Sequence, residues 1–239
     1  MSGLLAGRTA LVTGASRGIG RAVAVALAES GAQVVATARS SASLAELAEQ
    51  IGCRAVPADI ASPAGVDALV RGVRGVLGGD PDIVVNASGS FSLAPFAETD
   101  PGEFEHLLRI NLTGPFLVIR AFLPGMLERR GGHIVTIGSV AGRLPLPGNA
   151  AYGASKFGLR GLHEVLSVEL RGTGVRATLV EPAATDTALW DALDPDSRSD
   201  LPSRGQMLQP TEVAASVRFV LEQPEGVEVS GLLIRAERN

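Results

Sequence analysis

Seven short apolar runs recur along the chain: RTALVTG, QVVATAR, RAVPAD, DIVVNAS, HIVTIGS, VRATLVEP and GLLIR. They are near-continuous rather than alternating and are bounded by Gly, Asp or Pro, so they read as strands buried on both faces. Between them lie amphipathic segments at 18 to 30, 41 to 51, 63 to 78, 101 to 130, 150 to 172 and 211 to 222, which read as helices. Strand and helix alternate from end to end. The expected fold class is therefore α/β: one doubly wound parallel sheet of about seven strands with helices on both faces and a ligand crevice at the carboxyl ends of the strands. No repeat, long linker or compositional break divides residues 1–239, so one domain is expected. Residues 183–209, rich in Asp, Ser and Pro and carrying Leu189, Trp190 and Leu193, form one long irregular connection that suggests a lid over the crevice.

Hydrophobic types make up 46% of the 239 residues, enough to fill a sizeable interior. The 21 basic and 25 acidic residues leave a net charge of -4 with no basic block, which argues against nucleic acid and anionic membrane as partners. Any phosphate-bearing ligand needs a local site. Cys53 is the sole cysteine and reads as a buried apolar residue, since no intrachain disulfide can form. His106, His133 and His163 show no metal-ligand spacing with it, so no metal is expected. The opening MSGLLAGRTALVTG has no basic n-region or cleavage pattern, and no run reads as long enough to span a bilayer. A cytoplasmic protein is the expectation.

The first strand runs into TGASRGIG, with Gly14, Gly18 and Gly20 at the strand-to-helix turn. Glycine allows the tight turn and lets backbone N–H groups approach a pyrophosphate at a helix N-terminus, where the macrodipole favours negative charge. A ligand-free tight turn is the competing reading. At the end of the second strand, where a fold preferring NAD(H) places an acid, the sequence has Ala38 and then Arg39. With Arg17 in the glycine turn, two guanidiniums are available to fork onto a 2'-phosphate, which favours NADP(H) over NAD(H); both also suit solvated surface charges. Asp59 and Ile60 in ADIAS offer a hydrogen bond and an apolar contact to adenine, and Asp59 also suits a helix N-terminal region. Asn86 and Gly89 in NASG fall beside the adenine-ribose path.

In YGASK, Tyr152 and Lys156 stand at i and i+4, on one face of a helix. A phenol near its ordinary pKa of about 10 transfers protons poorly at neutral pH. A positive charge about 4 Å away is worth roughly one to three pKa units. The spacing equally suits an ordinary surface pair. Ser139 follows the fifth strand, where its hydroxyl can polarise a carbonyl or simply cap a loop. Asn111 interrupts a long apolar helix and needs partners if buried; a locally satisfied kink is the alternative.

TGASRGIG, NASG, Asn111, Ser139 and YGASK, in this order and spacing, resemble the short-chain dehydrogenase/reductase family over nearly the whole chain, in its compact branch with 3-oxoacyl-carrier-protein reductases and broad-specificity alcohol dehydrogenases. The resemblance implies a Rossmann-type domain and four catalytic residues. Tyr152 is the general acid for carbonyl reduction and base for alcohol oxidation, Lys156 lowers its pKa and bonds the nicotinamide ribose, Ser139 polarises the substrate oxygen, and Asn111 holds a water linking Lys156 to solvent. It implies cofactor contacts at Gly14, Ser16, Arg17, Gly18, Ile19, Gly20, Arg39, Asp59, Ile60, Asn86, Ala87, Gly89, Pro182, Thr185 and Thr187 beside Tyr152 and Lys156. Ala87 stands where the family often has a second asparagine, and Ala183 where it usually has glycine.

These residues and the resemblance predict an NADPH-dependent oxidoreductase acting on a ketone, aldehyde or secondary alcohol, and the resemblance implies a homodimer or homotetramer through helices 101 to 130 and 150 to 172. A catalytically silent dinucleotide sensor is the alternative, and such a sensor has no physical need for all four catalytic residues. Phe91, Phe96, Leu144, Leu146, Leu189 and Trp190 are expected to line an apolar substrate pocket. Arg129, Arg130 and Arg171 are candidates for a basic patch at its mouth, suited to a carrier-bound acyl substrate.

Overall fold

The computed structural model describes residues 4–237. Its strands are β1 (Thr9–Thr13), β2 (Gln33–Thr37), β3 (Arg54–Ala55), β4 (Ile83–Asn86), β5 (Gly132–Ile137), β6 (Val175–Pro182) and β7 (Gly231–Ile234). They form one sheet in the order β3-β2-β1-β4-β5-β6-β7, every pairing parallel. The order reverses between β1 and β4, which opens the crevice above their carboxyl ends. The helices are α1 (Gly18–Glu29), α2 (Ser41–Ile51), α3 (Pro63–Leu77), α4 (Pro101–Leu108), α5 (Gly114–Glu128), α6 (Ala150–Glu169) and α7 (Pro210–Leu221). One core packs α1, α2 and α7 against Val12, Val34, Val85 and Val135; the other packs α3, α5 and α6 against Leu11, Val35, Val84 and Ile134.

Local chemistry sets the helix ends. Ser62 Oγ accepts from Gly65 N at the start of α3, Pro63 occupies the first turn, and Gly78 closes the helix at φ 73°. Val66, Leu69 and Val73 recur at helical spacing and are buried, each contributing about 1.5–3 kcal/mol. Two edge strands differ from the buried pattern expected of them. Both residues of β3 are exposed, and β7 alternates between exposed and half-buried positions, because each has a neighbour on one side only.

The helix expected at 101 to 130 is interrupted. Arg109–Thr113 form a π-helical turn between α4 and α5, in which the N–H of Gly114 reaches back to the carbonyl of Arg109. Pro115 follows and has no N–H, so the carbonyl of Asn111 lacks its ordinary helical donor. The combined run Pro101–Glu128 is 28 residues long and holds an 18-residue window of mean hydropathy 1.4, which by length and composition suffices to cross a bilayer and corrects the expectation that no run does. Its apolarity is used inside the fold: Val118, Phe122 and Met126 are fully buried in the second core.

Candidate active site

A cavity of about 1240 Å³ opens at the carboxyl ends of the strands. At one end it is built from backbone. Gly14 has φ 67°, and a Cβ there would stand 2.7 Å from Ser88 Cα; one on Gly20 would stand 2.3 Å from the Gly14 carbonyl oxygen. Only glycine permits this turn. Arg17 precedes α1 without a side-chain cap, and the first turn holds no acid, so the leading N–H groups face a cavity lined by Gly14, Ser16, Arg17, Gly18, Ile19 and Gly20. These donors fit a dinucleotide's diphosphate.

Arg17 and Arg39 both line the cavity and are exposed, and neither guanidinium forms a hydrogen bond or ion pair among the described residues. Ser40 and Ser43, at the start of α2, join them on the wall and went unnoticed in the sequence, although a serine directly after a strand and before a helix was the available signal. Asp59 and Ile60 also line the cavity, and Asp59 Oδ1 accepts from Ala61 N at 3.0 Å.

Ala87 and Gly89 line the wall, but Asn86 does not. Its side chain is buried at the end of β4, with neither amide atom hydrogen-bonded among the described residues. This corrects its expected placement beside the ribose. The strand end at Ala87 is braced instead by Thr13, whose Oγ1 accepts from Ala87 N and Ser88 N at 3.1 and 3.2 Å.

At the other end the cavity is built from side chains. Ser139, Tyr152 and Lys156 all line it. Burial pushes the Tyr152 phenol above its ordinary pKa, and a hydrogen bond with Ser139 pulls the other way. Lys156 is 5% exposed, and burial brings its pKa down to about 8. Its ammonium donates to the Ile137 carbonyl at 3.1 Å and lies 5.7 Å from the centre of the Tyr152 ring. Burial is the larger influence on the phenol within the chain, and the Lys156 ammonium is held at the end of β5.

Asn111 is fully buried and does not line the cavity. Its Oδ1 accepts from Ser90 N at 2.8 Å, and its Nδ2 donates to Ser90 O at 3.0 Å and to Ser155 Oγ at 2.9 Å. Ser155 in turn donates to the Tyr152 carbonyl at 2.7 Å. The side chain thus clamps the loop after β4 to the helix carrying Tyr152 and has no donor left for a water. Ser90 and Ser155 were missed because their importance lies in partners 21 and 44 residues away.

Phe91, beside Ser90, meets Tyr152 edge-on at 4.8 Å between ring centres and Trp190 at 4.9 Å. Trp190 Nε1 donates to Thr185 O at 3.1 Å. Leu146 and Leu189 complete the wall as expected, whereas Phe96 (86% exposed) and Leu144 (45% exposed) lie outside it. Pro182, Ala183, Thr185 and Thr187 line the cavity, and Ala183 avoids the left-handed backbone region, so glycine is not needed there. Residues 183–209 close on themselves: Leu208 N donates to Ala184 O, Asp186 N donates to Leu208 O, and Arg204 bonds both Asp186 and Asp191.

Arg129 and Arg130 lie just before β5, and Arg171 lies just before β6. These are the entering ends of the strands, opposite the crevice, so they form no basic patch at its mouth. Cys53 is buried, which raises its thiol pKa, and no metal-binding cluster occurs among the described residues.

A glycine-built phosphate cradle at the switch point of a parallel sheet, facing a serine, a tyrosine and a lysine across one cavity, defines a nucleotide-dependent oxidoreductase of Rossmann type. The short chain dehydrogenase family model matches residues 8–198, and the chain belongs to that family. An uncharacterized oxidoreductase of Staphylococcus aureus (strain MW2) is 32% identical, with 97% of this chain and 98% of the relative covered. Among solved structures, a metagenomic short-chain oxidoreductase in complex with NADP is similar at TM-score 0.83 and 32% identity, covering 99% of this chain and all of that one. A gluconate 5-dehydrogenase from Burkholderia cenocepacia in complex with NADP and tartrate reaches TM-score 0.87 at 29% identity, covering 97% and 95% of the two chains.

Proposed function

We propose that the protein is an NADPH-dependent reductase of ketones or aldehydes, able to oxidise the corresponding secondary alcohols in reverse. The observation that carries this reading is the single cavity joining the unpaired guanidiniums of Arg17 and Arg39 to Tyr152, Ser139 and Lys156. The nicotinamide, when bound, supplies the hydride for the carbonyl carbon.

The chain's own groups do the rest. Tyr152, its pKa raised by burial, stays protonated at neutral pH and gives its proton to the carbonyl oxygen. Ser139 orients that oxygen by a second hydrogen bond. Lys156, with a pKa of about 8, is largely charged at neutral pH and favours the phenolate left behind. Gly14, Gly18 and Gly20 hold the diphosphate by backbone N–H groups, and Arg17 and Arg39 take a 2'-phosphate. Phe91, Leu146, Leu189 and Trp190 exclude water and favour a substrate with an apolar part. Residues 183–209 act as the lid. Family members act on small molecules and often form oligomers; Phe157, Val165 and Val168, exposed on α6, support a homodimer or homotetramer built on that helix. A cytoplasmic location completes the proposal.

The test is titration with NADPH and with NADH, read by fluorescence, followed by loss of absorbance on adding a panel of ketones and aldehydes. Tighter binding of NADPH with turnover of some carbonyl supports the reading. Tight binding with no turnover across a broad panel favours a cofactor sensor instead.

A further inference from the structure

Glu181 is a carboxylate at 1% exposure near the end of β6, absent from the cavity wall. Its Oε2 accepts from Arg143 Nε at 2.7 Å and pairs with Arg143 Nη2 at 2.5 Å, while Oε1 has no partner among the described residues. A buried charge is retained only where something compensates it, and among the described residues Arg143 is the cation paired with it.

The two residues join two segments of the crevice wall that follow the neighbouring strands β5 and β6. Arg143 ends the short 3-10 turn Val140–Gly142, which begins at Ser139 and is fastened by Ser139 Oγ accepting from Ala141 N. That turn lies hard against α6, since a Cβ on Gly142 would stand 2.8 Å from the Lys156 carbonyl oxygen. Glu181 directly precedes Pro182 and Ala183 on the second segment. The two segments pack closely at Gly138, where an added Cβ would meet Glu181 Cγ at 3.1 Å.

We infer that Arg143 and Glu181 are a positioning pair for hydride transfer: without touching substrate or cofactor, they fix the Ser139 hydroxyl relative to the Pro182–Thr185 wall. The pair rests on the reductase reading above, because its effect is on a carbonyl held against those segments. A guanidinium gripping one oxygen end-on suits this task, since it resists displacement of the turn along the bond while the second oxygen stays uncommitted.

The test uses Arg143→Met, Glu181→Met and the double variant in the full chain, with Tm, NADPH Kd and kcat for a carbonyl the wild type reduces. Arg143→Met strands a buried carboxylate and lowers Tm; the double variant removes both charges and recovers Tm, as buried pairs replaced by apolar residues do. The expected result is a double variant with wild-type Tm, NADPH Kd within about twofold, and kcat down about 10- to 100-fold, the cost of a displacement near 1 Å at the reacting atoms. Arg143→Lys, which keeps the charge but not the fork, restores part of kcat. A double variant with wild-type kcat overturns the inference, because the pair is then structural only. So does a loss of NADPH affinity as large as the loss of kcat, which marks a general collapse of the crevice. A wild type that binds NADPH and reduces no carbonyl overturns the reductase reading instead, and the inference with it.

Discussion

The two ends of the crevice are made differently. At the phosphate end the polar groups are uncommitted: the first N–H groups of α1 have no side-chain cap, and Arg17 and Arg39 have no partner among the described residues. At the chemical end most of the polar side chains already have a partner within the chain. Asn111 is bonded to Ser90 and Ser155, Ser155 to Tyr152, Lys156 to Ile137, and Ser139 to Ala141. Free donors wait for a ligand and contribute affinity, whereas groups already partnered within the chain hold geometry and contribute rate and stability.

That contrast can be broken by experiment. The largest effect is expected at Tyr152→Phe, which keeps the ring contacts with Phe91 and removes only the proton donor. Turnover should fall about 10²- to 10⁴-fold with NADPH Kd unchanged; steady-state kinetics showing normal turnover would end the assigned role of the phenol. Next comes Asn111→Ala, which removes the partner of both the N–H and the carbonyl of Ser90 and the donor to Ser155 Oγ, whose own O–H stays bonded to the Tyr152 carbonyl. A loss of about 2–4 kcal/mol is expected, seen as a Tm lower by roughly 5–15 °C together with reduced kcat. If Tm holds, the chemical end is less tightly bound than its hydrogen bonds imply. The smallest effect is expected at Arg17→Ala and Arg39→Ala. Each should weaken NADPH by about 10- to 100-fold while leaving NADH affinity and Tm unchanged, because the lost groups meet only solvent within the chain. Equal losses for both cofactors would place these arginines away from the 2'-phosphate.

The same contrast explains what could be read in advance. The phosphate end depends on local sequence: Gly14, Gly18 and Gly20 lie within one turn, and Arg39 follows its strand directly, so spacing alone places them. Ser139, Tyr152 and Lys156 were legible for the same reason, each belonging to a short segment with a fixed position after a strand or along a helix face. Asn86 was misplaced because alternation along β4 turned its side chain away from the cavity, which only the register of the sheet decides. Arg129, Arg130 and Arg171 were misread because charge clusters carry no address in the sequence, and the parallel strand direction put them at the opposite edge.

By itself, then, the sequence determined the alternation of strands and helices, the glycine turn and the order of the reactive side chains, all consequences of short-range periodicity and backbone freedom. Only the tertiary structure decided the electrostatics. Tyr152 and Lys156 were correctly predicted to share a helix face, yet burial, not their mutual attraction, sets the direction of both pKa shifts. The clamp of Asn111 on Ser90 and Ser155 and the pairing of Arg143 with Glu181 likewise join residues 21 to 44 positions apart. Desolvation and long-range hydrogen bonding depend on what the rest of the chain packs around a group, and no local stretch of sequence contains that information.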